Sequence, residues 1–280
     1  MSGRRTARAG GGNDESGISP CTAAAGSSRS LVAAVTELLV AAGESGRPVT
    51  FLHVPKCFGT SFSLLVSRVF PGVRFSGGHC FLEAARRPAG TLLVSSVRDP
   101  AARLKSVVLH ALRDNRPGGF CPPARFPVLT AFLQRPTAAG LREYLSREYH
   151  RASILRCLRS LVDAAIANPL LDRVAANVDT PSTVDLRQIE SYADAVMDAL
   201  AVCLYDDPEF MNWLPLENSA GAQATQRHRP AMRFVAEVCE QVVAQRPGVL
   251  QCEQAFYDRC VERQRNRLVG PPTAILRRAA

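Results

Sequence analysis

Large apolar side chains recur along this chain in two rhythms. From Ser30, the residues Leu31, Val35, Leu38 and Leu39 fall at i, i+4, i+7 and i+8, with Gly43 after the last turn. That spacing predicts an amphipathic helix capped by Ser30. The rhythm then changes, and Val49 to Val54 is a short apolar run that reads as a strand. A turn follows at Pro55 to Gly59, then a helix from Ser61 to Phe70 that stops at Pro71-Gly72. Val73 to Phe75 is a short extended piece and a candidate second strand. Thr91 to Val97 is nearly continuous in apolar character, as expected of a strand buried on both faces. Arg98-Asp99-Pro100 then opens a helical pattern running to about Arg113, with Asp99 suited to the N-cap and Pro100 to the first helical position. Strand, helix, strand, helix in this order predicts an α/β domain with a parallel sheet.

The remainder reads as mostly helical. Arg116 to Pro136 carries several Pro and Gly residues and is expected to be a loop. Helical patterns follow from Thr137 to about Ala167 and from Thr183 to Cys203. An Asp-Asp-Pro break and a short run from Phe210 to Leu216 precede two more helices, near Ala231 to Gln245 and Leu250 to Arg265. Residues 1–28 are rich in Gly, Ser and charge and have too few large apolar side chains to offset the entropy of ordering, so a disordered tail is expected there. The folded domain is expected over 29–268, with 269–280 a C-terminal tail.

Composition narrows the class without choosing a function. At 280 residues, 46% apolar and 21% charged, the chain suits one substantial globular core. A net charge of +9 favours anionic ligands through long-range attraction. The nine cysteines never form C-x-x-C, so neither a zinc site nor a disulfide framework is indicated and no metal is expected. They are expected to be free thiols of a reducing compartment, with Cys252 and Cys260 the pair to inspect for a bridge. No stretch approaches the roughly 18 uninterrupted apolar residues of a membrane span. The basic N-terminus runs into Gly, Asn, Asp and Glu instead of an apolar signal core. A soluble, cytoplasmic protein is the expectation.

Candidate chemistry concentrates around Lys56. It is one of two lysines against 32 arginines, within Thr50-Phe51-Leu52-His53-Val54-Pro55-Lys56-Cys57-Phe58-Gly59-Thr60-Ser61. A lysine where arginine is the default suggests a need for a compact, mobile ammonium. A strand that turns tightly into a helix aims the first helical N–H groups and the helix dipole at the turn, which suits a phosphate. Gly59 permits close backbone approach, and Thr60 and Ser61 add hydroxyl donors. The order is not that of an ATP-binding Walker A loop, in which Lys directly follows Gly.

Pro-Lys-x-x-Gly-Thr-Ser after an apolar strand resembles the 5′-phosphosulfate loop of sulfotransferases that use 3′-phosphoadenosine 5′-phosphosulfate. His53 to Phe62 looks most like the carbohydrate branch, including the heparan 2-O enzymes. That family has a 3′-phosphate site in which an Arg at a strand end is followed eight residues later by a Ser on the next helix. Arg98 and Ser106 have that spacing. The resemblance implies a P-loop NTPase-like α/β fold, a parallel sheet flanked by helices with the nucleotide across the strands' carboxyl ends. It implies that Lys56 stabilises the bridging oxygen during sulfuryl transfer. The backbone from Cys57 through Phe58 and Gly59 to Thr60, with the Thr60 and Ser61 hydroxyls, would hold the 5′-phosphate, and Arg98 with Ser106 the 3′-phosphate. Ser76-Gly77-Gly78-His79-Cys80-Phe81 resembles the family's Gly-His segment, making His79 the expected base, with Glu83 the substitute. The acceptor implied is a hydroxyl, of a saccharide by analogy, with no metal and no specific nucleic acid. Two departures stand out: Phe58 is bulky where the family has a small residue, and Cys57 replaces a Thr.

Other candidates have less context. His53, within the first strand, is expected to be a packed core residue, and His110, His150 and His228 lack a comparable setting. Tyr149 to Arg156 resembles the family's helix near the acceptor and Leu214 to Ser219 a late strand-to-loop element, and Lys105 has no defined role in its pattern. Two other classes compete: a degenerate nucleotide fold that binds anions or nucleic acid without catalysis, and a P-loop kinase, which the missing Walker A order disfavours. Oligomeric state is left open.

Overall fold

The structure is a computed structural model and describes residues 29–79, 90–115, 117–118, 121–149, 153–176, 184–215, 229–245 and 247–269. Helix α1 (Leu31–Ser45) begins at the Ser30 cap, whose hydroxyl accepts from the Ala33 amide, and buries the stripe Leu31, Ala34, Val35, Leu38, Leu39 and Ala42. It runs past Gly43 and ends at Gly46, whose φ of 65° is the left-handed conformation that closes a helix.

Four strands follow: β1 (Val49–His53), β2 (Phe75–His79), β3 (Leu92–Ser96) and β4 (Val202–Leu204). They form one sheet in the order β2-β1-β3-β4, and every pairing is parallel. The first four residues of β1 and all five of β3 are buried, in keeping with their largely apolar runs. Helix α2 (Gly59–Val69) links β1 to β2, and α3 (Pro100–Asp114) follows β3. The right-handed crossover rule sends α2 and α3 to opposite faces, because β2 and β4 lie on opposite sides of the β1–β3 pair.

Further along come α4 (Pro127–Gln134), α5 (Ala138–Arg147), α6 (Ile154–Cys157), α7 (Ala164–Ala176), α8 (Leu186–Ala199), α9 (Pro208–Trp213), α10 (Arg229–Ala244) and α11 (Gly248–Val269). On one face, aromatic rings join the sheet to α2 and α9: Phe51 meets Phe62 at 5.0 Å, and Phe62 lies 6.1 Å from Phe75 and 6.4 Å from Phe210. Elsewhere α11 packs on α8, α3 and β4. Gln264, fully buried on α11, accepts from the Cys203 amide at 3.0 Å and so satisfies an edge donor of β4.

The structure departs from the sequence expectations at several places. Residues 202–204 pair with β3 as a strand instead of finishing the preceding helix, which stops at Ala199. A three-residue apolar segment carries too little periodicity to separate the two, and pairing with β3 decides it. The second strand lies at 75–79, not 73–75, and contains Gly77 and Gly78, which weaken any local strand preference. Helix α4 falls inside the segment expected to be a loop. Pro127 sits at its first position, and the cap is tertiary: the buried Glu148 carboxylate accepts from the Val128 amide at 2.9 Å and the Leu129 amide at 3.0 Å. The pattern from Thr137 to Ala167 is divided among α5, α6, a 3-10 turn at Arg159–Leu161 and the start of α7.

Cys252 and Cys260 are both buried free thiols, and the thiol beside Cys260 is that of Cys203. No helix among the described residues is long and apolar enough to cross a membrane.

Glu148→Ala removes the acceptor for both α4 amides and is expected to destabilise the protein by about 1–3 kcal/mol, read from urea denaturation. An unchanged midpoint would mean that α4 does not rely on this carboxylate.

Candidate functional site

Because the chain passes from β1 outward to β2 and then returns to the other side of β1 for β3, strand order reverses between β1 and β3. In open parallel sheets the crevice outside the carboxyl ends of such a pair is the usual ligand position. Two turns border it here, residues 54–58 after β1 and 97–99 after β3.

The turns are tied together through the first one's carbonyls. Pro55 O accepts from Arg103 Nε at 3.2 Å, Lys56 O from Arg98 Nη1 at 3.4 Å, and Cys57 O from Ser96 Oγ. Three successive carbonyls thus face β3 and α3. Lys56 and Phe58 reach this arrangement with φ values of 66° and 59°, the left-handed region that side chains enter only under constraint. The Cys57 amide donates to Val54 O at 3.1 Å, and the Phe62 amide to Phe58 O at 2.9 Å. Between them the amides of Phe58, Gly59, Thr60 and Ser61 find no partner among the described residues, and no side chain caps α2. They form the open start of the helix, with Lys56 half-buried beside it.

Gly59 leaves the space that the His53 ring occupies. A Cβ there would lie 2.0 Å from the His53 ring, which rests against the first helical residue. His53 is therefore a half-buried wall of the turn at the end of β1, not a residue of the closed core.

The expected site residues of the two turns and of the helices that follow them have definite places. The Cys57 side chain is fully buried, and burial pushes its thiol up to about 12, so it stays protonated and faces away from the turn's mouth. With its amide and carbonyl also engaged, the open donors begin at Phe58. The Phe58 ring turns inward, edge-on to Phe210 at 6.3 Å, with the Arg98 guanidinium 5.5 Å from its centroid. Thr60 is exposed and Ser61 half-buried on the first turn of α2. Asp99 caps α3 by accepting from Ala102 at 2.8 Å, and its own amide donates to Asp206 in the loop after β4. On the other side the Val97 amide donates to Leu204 O at 2.8 Å, so Arg98 is held between two anchored neighbours. Ser106 is half-buried on α3. His79 is the last residue of β2, in register with His53 across the sheet. Glu83 lies outside the described residues, as do His150 and His228. Lys105 forms an exposed ion pair with Glu240 of α10 at 2.6 Å, a pair of small energetic weight.

Two parts of the site were not anticipated. His110 stands one helical turn beyond Ser106 on the same face of α3. Burial, then the Lys56 charge, then Arg113 hold its imidazole below the usual range against the opposing pull of Asp114, so it is neutral at pH 7. The second part is a buried polar cluster behind the turn. Arg103 also donates Nη1 to the Tyr149 hydroxyl at 2.9 Å, and that hydroxyl donates to Glu253 at 2.8 Å. For this cluster a signal existed in both helices: Arg103 sits among Leu104, Val107 and Val108 on the apolar stripe of α3, and Glu253 among Leu250, Cys252 and Phe256 on that of α11. A charge at a core position of an amphipathic helix demands a partner. In comparisons with protein-family models, curated proteins and solved structures, nothing matches the chain.

The His110 environment has a pH consequence. Folding lowers the imidazole pKa, so the unfolded chain binds more protons. The associated stability is complete above about 6.5 and is lost as pH falls through 6.5 toward the folded value. Between pH 7.5 and 5.5 the wild type is expected to lose more stability in urea than His110→Asn. Equal losses would show that this imidazole is not disfavoured as a cation in the fold.

Proposed function

We propose that this chain is a sulfotransferase that moves a sulfuryl group from 3′-phosphoadenosine 5′-phosphosulfate to a hydroxyl, that of a carbohydrate by the resemblance, on a P-loop-like sheet. The observation that carries the reading is the open row of amides from Phe58 to Ser61 beside Lys56, at the reversal of strand order. Amides at a helix start, in a turn whose carbonyls are held from behind, suit the 5′-phosphate without reorganisation. The residues therefore fit the phosphate group of the donor.

In this reading the Phe58, Gly59, Thr60 and Ser61 amides and the Thr60 and Ser61 hydroxyls orient the 5′-phosphate. Lys56 places its ammonium where negative charge grows on the bridging oxygen as the sulfur–oxygen bond breaks. Arg98 and Ser106 take the 3′-phosphate. His79, at the end of β2, accepts the proton of the acceptor hydroxyl as the new sulfur–oxygen bond forms. The neutral His110 adds no second cation beside Lys56 at pH 7.

One observation favours a second reading, a protein that binds anions or nucleic acid without catalysis. Arg98 is engaged with Lys56 O and stacked over Phe58, so meeting a 3′-phosphate requires the guanidinium to swing off that ring. The P-loop kinase reading has no such support.

Titration calorimetry with 3′-phosphoadenosine 5′-phosphate and with ATP separates the readings. The first ligand is expected to bind more tightly, and Arg98→Ala is expected to abolish the preference. Equal or absent binding would reject the nucleotide assignment. Given a labelled donor and an accepted saccharide, Lys56→Ala is expected to slow transfer by about 10²-fold or more. Transfer at nearly the wild-type rate would remove Lys56 from the mechanism, and a wild type that binds the nucleotide yet consumes no donor with any acceptor would favour the binding reading.

A further inference from the structure

We infer that Arg103, Tyr149 and Glu253 form a clasp that sets the geometry of the 54–58 turn, with Arg103 a positioning residue for the anion site; the role in anion binding rests on the reading above. All three side chains are fully buried. Arg103 projects from the first turn of α3, Tyr149 follows α5, and Glu253 comes from α11, so three separate parts of the chain meet behind one turn. The guanidinium reaches in two directions. Nε donates to Pro55 O at 3.2 Å, while Nη1 donates to Tyr149 at 2.9 Å and lies 3.5 Å from a Glu253 oxygen. The other Glu253 oxygen accepts from the Tyr149 hydroxyl at 2.8 Å, and the Ile154 amide donates to the carboxylate at 2.7 Å.

The chemistry of the cluster argues for positioning over bulk stability. A buried ion pair is often replaced by well-packed apolar residues without loss of stability, since both charges must be stripped of water. Burial by itself pushes the Glu253 carboxyl up, opposed by Arg103, the Ile154 amide and the Tyr149 hydroxyl. What an apolar replacement cannot supply is a donor for Pro55 O. A planar guanidinium locked on its far side by two partners presents Nε at a fixed angle. Holding that carbonyl inward fixes the peptide plane entering Lys56, at the point where the chain adopts φ 66°. Lys56 O and Cys57 O are then held by Arg98 and Ser96. The clasp thus starts the series of inward carbonyls that leaves the next amides facing out. It also ties the turn to Ile154 and α11, so a shift of either is felt at Lys56.

Two variants of the full chain test this. Tyr149→Phe keeps the ring and removes the hydroxyl that orients the guanidinium. Arg103→Met with Glu253→Met removes both charges together, so no lone buried charge remains. The first readout needs no ligand: amide hydrogen exchange at Cys57 and Phe62, whose N–H groups close the turn, compared with Val94 in β3. Exchange at the turn is expected to quicken about tenfold or more, the worth of a hydrogen bond to a charged group, while Val94 keeps its rate. The second readout is calorimetry with inorganic pyrophosphate and with 3′-phosphoadenosine 5′-phosphate, each expected to bind about tenfold more weakly to the variants. Turn exchange that is unchanged, or that rises only in step with Val94, overturns the clasp in either variant, as does unaltered affinity for both ligands. A wild type that binds neither ligand rejects the anion site itself, and the exchange comparison then judges the clasp without it.

Discussion

Backbone polar groups removed from water must find partners, and at the end of β1 that requirement organises the molecule. The chain leaves the sheet at Val54 with its next residues still enclosed: Pro55 and Cys57 are buried and Lys56 half-buried. Their carbonyls are satisfied by Ser96, Arg98 and Arg103, all from the continuous stretch that ends β3 and begins α3. This works because β3 lies directly beside β1 in the parallel order, which puts the two turns side by side at one end of the sheet. With carbonyls committed inward, the amides after Cys57 have no internal use. The open helix start is therefore the other half of a bonding requirement met elsewhere.

Charge in the same region is divided between two kinds of cation. The arginines are held: Arg103 inside the protein between Pro55, Tyr149 and Glu253, and Arg98 over the Phe58 ring. A planar fork suits fixed positions with several acceptors. Lys56 is the compact cation, on the residue whose carbonyl Arg98 holds. His110, kept neutral by burial and by Lys56 itself, adds no third charge at neutral pH. Phe58, a misfit beside the resemblance, turns its ring into the aromatic packing of α2 and α9 and serves as a shelf for Arg98.

The sheet's inner strands and the positions of both turns were legible because their signals are local. Short, largely apolar runs announced β1 and β3, Ser30 announced the start of α1, and Asp99 with Pro100 announced that of α3. Elements whose stabilising partner is distant in the chain were not legible. Helix α4 depends on Glu148, some twenty residues on, and β4 depends on pairing with β3, more than a hundred residues earlier. His110 looked contextless for the same reason, since Lys56 approaches it across the fold. Arg103 and Glu253 each left a trace as a charge within an apolar stripe, yet nothing local named either as the other's partner.

The sequence by itself determined that a strand runs into a tight turn holding Lys56 and Gly59 and then into a helix, and that a second such unit carries Arg98. Periodicity, turn residues and capping act over a few positions, and a single chain displays them directly. Only the tertiary structure decided that the two turns adjoin, that three carbonyls of the first are held from behind, and that the amides of Phe58 to Ser61 face outward. Those outcomes rest on strand order and on side chains from α3, from the segment after α5 and from α11 meeting at one buried point. Contacts of that kind arise when the chain closes on itself.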